Sequence, residues 1–162
     1  MNKFNLFFCF FILFFICMLP NLSANDDVKY GLSNGQTIYV PAYSHIYYGN
    51  REQTFLLTIT LSIRNIDTDK KIKISVVDYY ETQGKLVKKF IKNPVVLQPL
   101  ESLRYIIPES DKAGGSGANF IVNWESDKLA NPPIVESIMI STKGAQGISF
   151  TSRGRVIISS NK

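Results

Sequence analysis

Apolar and more polar residues alternate from residue 55 to residue 64. The apolar phase of this pattern is Phe55, Leu57, Ile59, Leu61 and Ile63. Successive side chains of an extended chain point to opposite faces of a sheet, so the pattern predicts a β-strand with one buried face. An α-helix would spread the same residues around its circumference and bury none of its faces cleanly. This segment therefore requires a sheet with a core on one side.

The two-residue period recurs along the chain, interrupted by Gly, Pro, Asn and Asp. We expect further strands over 71–80, 85–91, 95–97, 103–107, 119–125, 134–141, 148–151 and 156–158. Within the first of these, Ile72, Ile74 and Val76 should face inward. No segment has a sustained helical period. The pattern predicts an all-β fold, an antiparallel immunoglobulin-like β-sandwich of about seven or eight strands. A small barrel is the alternative.

The N-terminus carries an export signal. Lys3 is followed by a nearly unbroken apolar run from Phe4 to Leu19, which Pro20 ends. The run is shorter than the roughly 20 residues needed to span a membrane, and its flanks suit a signal peptide. We expect a signal-peptide helix at 1–24, cleaved after Ala24, then a flexible segment at 25–36 and a single β-sandwich domain at 37–160. An uncleaved N-terminal membrane tether is the alternative.

Export limits the chemistry and the partners of the mature chain. Both cysteines, Cys9 and Cys17, lie in the signal peptide, so the domain has no thiol for catalysis or metal binding. Loss of the signal peptide leaves 17 basic against 13 acidic residues, a mild excess. We therefore expect a periplasmic or extracellular protein with no nucleic-acid partner and no stable membrane insertion after cleavage.

Aromatic residues cluster near the start of the domain. Tyr43, His45 and Tyr47 share one face if the segment is extended. Tyrosines suit sugar stacking or protein contact because they combine an apolar ring with a polar tip. With Trp124, Tyr43 and Tyr47 form the candidate contacts of a carbohydrate-binding module. The alternative is that these tyrosines only cover a sheet edge.

Glycine-rich stretches accompany polar residues at two further places. Residues 114–117 (GGSG) precede Asn119, and Arg153 and Arg155 flank Gly154. Glycine lets a backbone approach a ligand closely, and arginine presents a planar fork to carboxylate or phosphate. Arg153 and Arg155 predict an anion site, and a lysine-rich hairpin over residues 70–92 could add a polyanion-binding patch. Turns with solvated charges are the alternative.

The usual catalytic and metal-binding groups are missing. His45 is the single histidine, and the neighbouring Ser44 would point to the opposite face of a strand. Ser116 lacks the last glycine of a nucleophile elbow and is followed by no predicted helix. We therefore expect no enzyme, no cofactor and no metal site; a hydrolase that uses His45 is the alternative.

Four strings of the sequence, in order, resemble a known family. They are residues 39–47 (YVPAYSHIY), 57–65 (LTITLSIRN), 114–120 (GGSGANF) and 147–155 (GISFTSRGR). They are similar to the exported bacterial family called domain of unknown function 3124, over nearly the whole mature chain. The resemblance implies export and carries no assigned activity.

These observations favour a non-catalytic binding or interaction module of the cell envelope. Its partner would be a protein or an envelope polymer, and a carbohydrate- or polyanion-binding module is the alternative. The candidate ligand-binding residues are Tyr43, His45, Tyr47, Asn119, Trp124, Arg153 and Arg155. We expect the segments 43–47 and 147–155 to be neighbours, with the arginines within a ligand's reach of the tyrosines.

Overall fold

The computed structural model describes residues 31–142 and 147–160, and these form twelve strands without a helix. The strands are β1 (Ser33–Pro41), β2 (His45–Tyr48), β3 (Gln53–Leu56), β4 (Thr58–Arg64), β5 (Ile72–Tyr80), β6 (Leu86–Lys89), β7 (Val95–Leu97), β8 (Ser102–Ile107), β9 (Asn119–Ala130), β10 (Ile134–Ser141), β11 (Ile148–Arg153) and β12 (Arg155–Ser160). The predicted signal peptide lies outside the described residues. β1 begins at Ser33, inside the segment at 25–36 that we expected to be flexible.

The strands form three antiparallel sheets. The large sheet has six strands in the order β12-β1-β9-β5-β6, with β7 also paired to β5. The small sheet has the order β11-β10-β4-β8, and β2 pairs with β3 alone. The twelve strands exceed the predicted seven or eight, in part because the segment at 55–64 is divided between β3 and β4. The all-β prediction is confirmed.

The buried faces of the large and small sheets contribute to one hydrophobic core. Ile38, Val122 and Trp124 come from the large sheet, and Leu61 and Met139 come from the small one. Burying each such side chain stabilises the fold by roughly 1.5–3 kcal/mol relative to leaving it exposed. The core therefore holds the two sheets against each other.

The alternating segment at 55–64 is divided between two strands. The chain leaves the β2-β3 pair at Leu57, whose amide donates to the Ser44 carbonyl oxygen at 2.9 Å, and β4 then joins the small sheet. Leu57, Ile59, Leu61 and Ile63 are fully buried, as the alternation predicts. Phe55 is only partly buried, because it belongs to the separate β2-β3 pair.

A bulge in β5 changes which of its residues face the core. The pairing of β5 with β9 shifts register between Ile74 and Val76. An extra residue in a strand reverses the side-chain phase beyond it. The prediction that Val76 faces inward is therefore wrong, and Val77 and Tyr79 are buried instead.

The chain crosses from the small sheet to the large one at Gly154, between β11 and β12. Its amide donates to the Val135 carbonyl oxygen at 2.8 Å. A Cβ at this position would lie 2.6 Å from Ile38 Cγ2 and 2.9 Å from that same oxygen. Glycine is required here because the two sheets approach each other too closely for a side chain.

The turn after β4 depends on a buried carboxylate. Asp67 accepts hydrogen bonds from the backbone amides of Asp69, Lys70 and Asn131 at 2.8–2.9 Å, and from the Asn131 side chain. The Asn131 amide makes the largest contribution to lowering the pKa of Asp67 from 3.8 to about 2. Such bonds favour the charged carboxylate because protonation weakens its oxygens as acceptors.

We expect this carboxylate to make the fold acid-sensitive. Because its folded pKa is lowered, the stabilisation is complete above about pH 4 and is lost as the pH falls toward 2. Chemical denaturation across this range should show a falling unfolding free energy that Asp67→Asn largely flattens. Asp127→Asn, at an exposed position, should leave the slope intact. Equal slopes in wild type and Asp67→Asn would contradict this assignment.

Candidate functional site

Strands β2 and β3 form a hairpin outside the two larger sheets, here called the aromatic hairpin. Its connecting turn contains two residues with positive φ, Gly49 at 67° and Glu52 at 49°. The left-handed conformation at both turn positions reverses the chain within a few residues. The hairpin is therefore short, and its Ile46 and Phe55 side chains pack against the main core.

Both faces of the aromatic hairpin carry ring pairs. His45 and Tyr47 meet edge to face at 5.2 Å, and His45 Nε2 lies 3.3 Å from the Tyr47 hydroxyl oxygen. On the other face, Tyr48 and Phe55 meet at 6.1 Å with perpendicular planes. Tyr47 and Tyr48 remain 53% and 52% exposed. Edge-to-face pairing holds these rings in place while leaving half of each tyrosine open to a partner.

The base of the hairpin is bonded to residues 114–117, here called the glycine loop. The Ser44 amide and hydroxyl both donate to the Gly115 carbonyl oxygen, at 3.0 and 3.1 Å. The Ala42 amide donates to the Ala118 carbonyl oxygen at 2.8 Å. Two segments that the sequence singled out separately are thus joined, and the glycine loop fixes the direction in which the hairpin leaves β1.

The conformation of the glycine loop requires its glycines. Gly115 has a φ of 75°, and a Cβ there would lie 2.4 Å from Thr82 Oγ1. Thr82 Oγ1 accepts from the Gly117 amide at 3.0 Å and donates to the Gly114 carbonyl oxygen at 3.1 Å. Beneath the loop, burial raises the pKa of Tyr79, and a Cβ on Gly114 would collide with the Tyr79 hydroxyl.

Gly115→Ala should therefore loosen the hairpin base. An alanine in the left-handed region costs roughly 1–2 kcal/mol, and the new methyl group would displace Thr82. We expect a loss of about that size in unfolding free energy, with faster hydrogen exchange at the Ser44 amide. Gly84→Ala is the matched control, because Gly84 also has a positive φ, 83°, but open space around it. Equal exchange at Ser44 in both variants would contradict this role of Gly115.

The structure places Tyr43 against the penultimate strand. Its ring meets Phe150 of β11 edge to face at 5.7 Å. The segments 43–47 and 147–155 are therefore in contact through these two rings.

Asn119 is the first residue of β9. It pairs with Pro41 on one side and Tyr80 on the other, and it follows Ala118, which contacts the hairpin base.

The two predicted arginines lie in different sheets. Arg153 is in the small sheet opposite Glu136, and Arg155 is in the large sheet opposite Tyr39. Both arginines are exposed.

Trp124 is only 2% exposed, and its indole nitrogen donates to Gln36 Oε1 at 3.2 Å. The structure places His45 and Tyr47 on the aromatic hairpin and Tyr43 just before it against the core, places the arginines on separate sheets, and places Trp124 in the core.

The groups around His45 do not form a nucleophile with its base. The Ser44 side chain is fully buried and its hydroxyl donates to the glycine loop, while His45 contacts Tyr47. Among residues 31–142 and 147–160, no three His, Cys, Asp or Glu side chains are grouped to hold a metal ion. Within the same ranges, no helix has the length and apolarity to cross a membrane.

Three residues of the site were not predicted as contacts. Tyr48 and Phe55 supply the second ring pair, and Thr82 holds the glycine loop. If the alternation of side chains in the segment 43–47 is continued to Tyr48, it indicates that the second face of this segment is also aromatic. The contact between Thr82 and the glycine loop spans more than thirty residues of sequence, and such pairings leave no local signal.

Comparison with known proteins identifies the family of the chain. No curated protein matches it. A solved structure from Thermotoga maritima, "Crystal Structure of Thermotoga maritima 1070", is 17% identical with a TM-score of 0.46, over 77% of this chain and 97% of that one. The model of the family described as "Protein of unknown function (DUF3124)" matches residues 35–157, which include the hairpin, the glycine loop and Gly154. The chain therefore belongs to the DUF3124 family.

Proposed function

We propose that this protein is an exported, non-catalytic module of immunoglobulin-like β-sandwich type, which binds a protein or polymer of the cell envelope through the aromatic hairpin. Export through residues 1–24 would deliver it to the periplasm or the cell exterior. The observation that supports a binding role is the exposure of Tyr47 and Tyr48, each about half open on a hairpin whose base is fixed. Tyrosine is enriched where binding energy concentrates.

The support beneath the hairpin makes it suited to binding. Its base has backbone bonds to the glycine loop, and its rings are paired. A contact surface that is ordered before binding loses less conformational entropy on association. The hairpin therefore combines a large amphipathic area with a low entropic cost of ordering on binding. A strand needed only for folding would not require this combination.

His45 should have no catalytic role. Its nearest polar partner is the Tyr47 hydroxyl, and the adjacent serine hydroxyl is buried and bonded. We expect no hydrolysis of esters, peptides or glycans attributable to the purified protein, and the same baseline for His45→Ala. An activity that vanished in a folded His45→Ala variant would overturn this proposal in favour of a hydrolase.

A binding assay with hairpin variants tests the proposed function. The purified protein would be sedimented with an isolated cell-envelope fraction, and its affinity compared with that of the double variant Tyr47→Ser, Tyr48→Ser. If these rings carry most of the contact, their removal should weaken binding at least about tenfold. Leu100→Ser is the matched control. Leu100 is 67% exposed and lies just before β8, beside the end of β4 that is farther from the hairpin. Equal binding by all three proteins would contradict the proposal.

A further inference from the structure

Strand β12 forms one edge of the large sheet. Within residues 31–142 and 147–160, it pairs with β1 on one side and with no strand on the other. Val156, Ile157 and Ile158 are all exposed, Ile158 to 61%. The free backbone groups of an edge strand are a template for pairing with another strand, and exposed apolar side chains strengthen that tendency. β12 therefore has the features of a strand that pairs with another chain.

The other sheet edges are protected against such pairing. β6, at the opposite edge of the large sheet, contains two lysines, and β7 is a three-residue strand preceded by Pro94. In the small sheet, β8 carries Arg104, and the apolar residues of β11, Ile148 and Phe150, are partly buried. Short strands, charged side chains and proline are the usual means of discouraging edge pairing. β12 has six residues and contains neither lysine nor proline.

The exposed residues of β12 lie on both faces of the large sheet. Val156 pairs with the buried Ile38, and Ile158 pairs with Thr37 beyond a register shift. Val156 is therefore on the core side of the sheet and Ile158 on the outer side. A ligand resting on one face would cover only one of these side chains. A strand placed alongside β12 brings side chains to both faces and bonds to the free backbone groups, so the partner that fits is an extended strand.

The two ends of β12 differ in their surroundings. Arg155 begins the strand and pairs with Tyr39 on the outer face of the large sheet. Ser160 ends the strand and pairs with Gly35, which pairs in turn with Glu125 of β9. Antiparallel pairing of two copies about a two-fold axis sets the first residue of each strand opposite the last residue of the other. It keeps the two arginines apart and directs each of them toward the Ser160 end of the other copy.

The end of β12 that pairs with Gly35 is acidic and concave. A groove of about 630 Å³ lies beside it on the outer face. The charged residues of the groove lining are Glu125, Asp127 and Lys73. Two carboxylates thus face one ammonium, and Gly35 places no side chain between β12 and β9. A strand paired with β12 would lie three strand spacings, about 14 Å, from β9. The length of an arginine side chain brings its charge within about one Debye length, roughly 10 Å, of these carboxylates.

We propose that the protein forms a two-fold symmetric dimer in which β12 pairs antiparallel with β12 of a second copy. This pairing covers the apolar residues on both faces and brings Arg155 of each copy toward the acidic groove of the other. It uses up the one edge of this kind in the described part of the chain, so assembly stops at two copies. The dimer would present two aromatic hairpins, which raises avidity for a partner with repeated sites. The pairing itself does not depend on the role proposed for the hairpin.

Sedimentation velocity of the purified protein over a range of concentrations tests the dimer. We expect a monomer–dimer equilibrium in the wild type and a monomer in the double variant Ile157→Lys, Ile158→Lys, because lysines on an edge oppose strand pairing. Val87→Lys is the matched control, since Val87 is an exposed apolar residue of β6 at the opposite edge of the same sheet. It should dimerise as the wild type does. Circular dichroism of each variant checks that it is folded.

Arg155→Glu tests the orientation of the pairing without changing the apolar residues. It sets a carboxylate against the acidic groove of the other copy and should raise the dissociation constant of the dimer at least about tenfold. Arg104→Glu makes the same substitution at an exposed position of β8 and should leave that constant unchanged. Equal effects of the two substitutions would contradict the antiparallel arrangement.

Hydrogen exchange identifies the surface that is covered. Amides of β12 should exchange more slowly as the protein concentration rises, and those of β6 should not. A monomer at every concentration would overturn the proposal, and so would a dimer that Val87→Lys disrupts equally. Protection of β12 at all concentrations would overturn it too, since the edge would then be covered within one chain. The Tyr47→Ser, Tyr48→Ser variant should still dimerise, so failure of the hairpin proposal is distinguished from failure of this one.

Discussion

Replacing Trp124 by alanine should lower the free energy of unfolding by about 3–5 kcal/mol, as truncation of a large buried aromatic side chain does. The indole is 2% exposed, lies in the shared core and donates to Gln36 Oε1 at 3.2 Å. Removing it leaves a cavity between the sheets and an amide oxygen without its donor. Urea denaturation followed by circular dichroism measures the change.

Trp124→Phe separates packing from hydrogen bonding at this position. Phenylalanine retains an apolar ring in the core but cannot donate to Gln36, so its cost should be clearly smaller than that of alanine. Sequence reasoning placed Trp124 among the ligand contacts, and a ligand role would leave stability almost unchanged. A loss below about 1 kcal/mol in Trp124→Ala would contradict the core position of the indole.

Ile59→Ala should lower the free energy of unfolding by about 2–5 kcal/mol. Ile59 is fully buried at the centre of the small sheet, where it pairs with Met139 on one side and Ile107 on the other. The flanking strands cannot collapse into the space without breaking their ladders, so much of the cavity should remain. The same denaturation experiment measures this loss.

Ile140→Ala is the matched control for that substitution. It removes the same atoms from a neighbouring strand of the same sheet, but Ile140 is 43% exposed. Its cost should stay below about 1 kcal/mol. Similar losses of unfolding free energy in the two variants would mean that both faces of the small sheet are equally buried. That result would contradict the alternation of apolar and polar residues that predicted the sheet.

The sequence predicted the faces of regular strands and failed where strands become irregular. The alternation at 57–63 placed four core residues correctly because side-chain phase is a local property of an extended chain. The bulge in β5 arises from pairing with a distant strand. Its effect, the burial of Val77, could not be predicted from the segment alone.

Residue types at the candidate site were easier to predict than their arrangement. The aromatic segment and the glycine loop were each recognisable by composition, and the structure joins them through Ser44 and Gly115. Arg153 and Arg155 are adjacent to the same glycine, yet the close approach at Gly154 turns the chain from one sheet to the other between them. Although the two arginines are close in sequence, they therefore do not share one surface.

Site-specific photo-crosslinking tests the central claim, that the aromatic hairpin is the contact surface, most directly. A photoreactive phenylalanine analogue would replace Tyr47 in the full chain expressed in its native host, and Leu100 in a parallel strain. We expect a discrete crosslinked species with the probe at 47 and none with the probe at 100, since both sites are exposed but only one lies on the hairpin. Absence of any species at 47, or the same species from both positions, would contradict it.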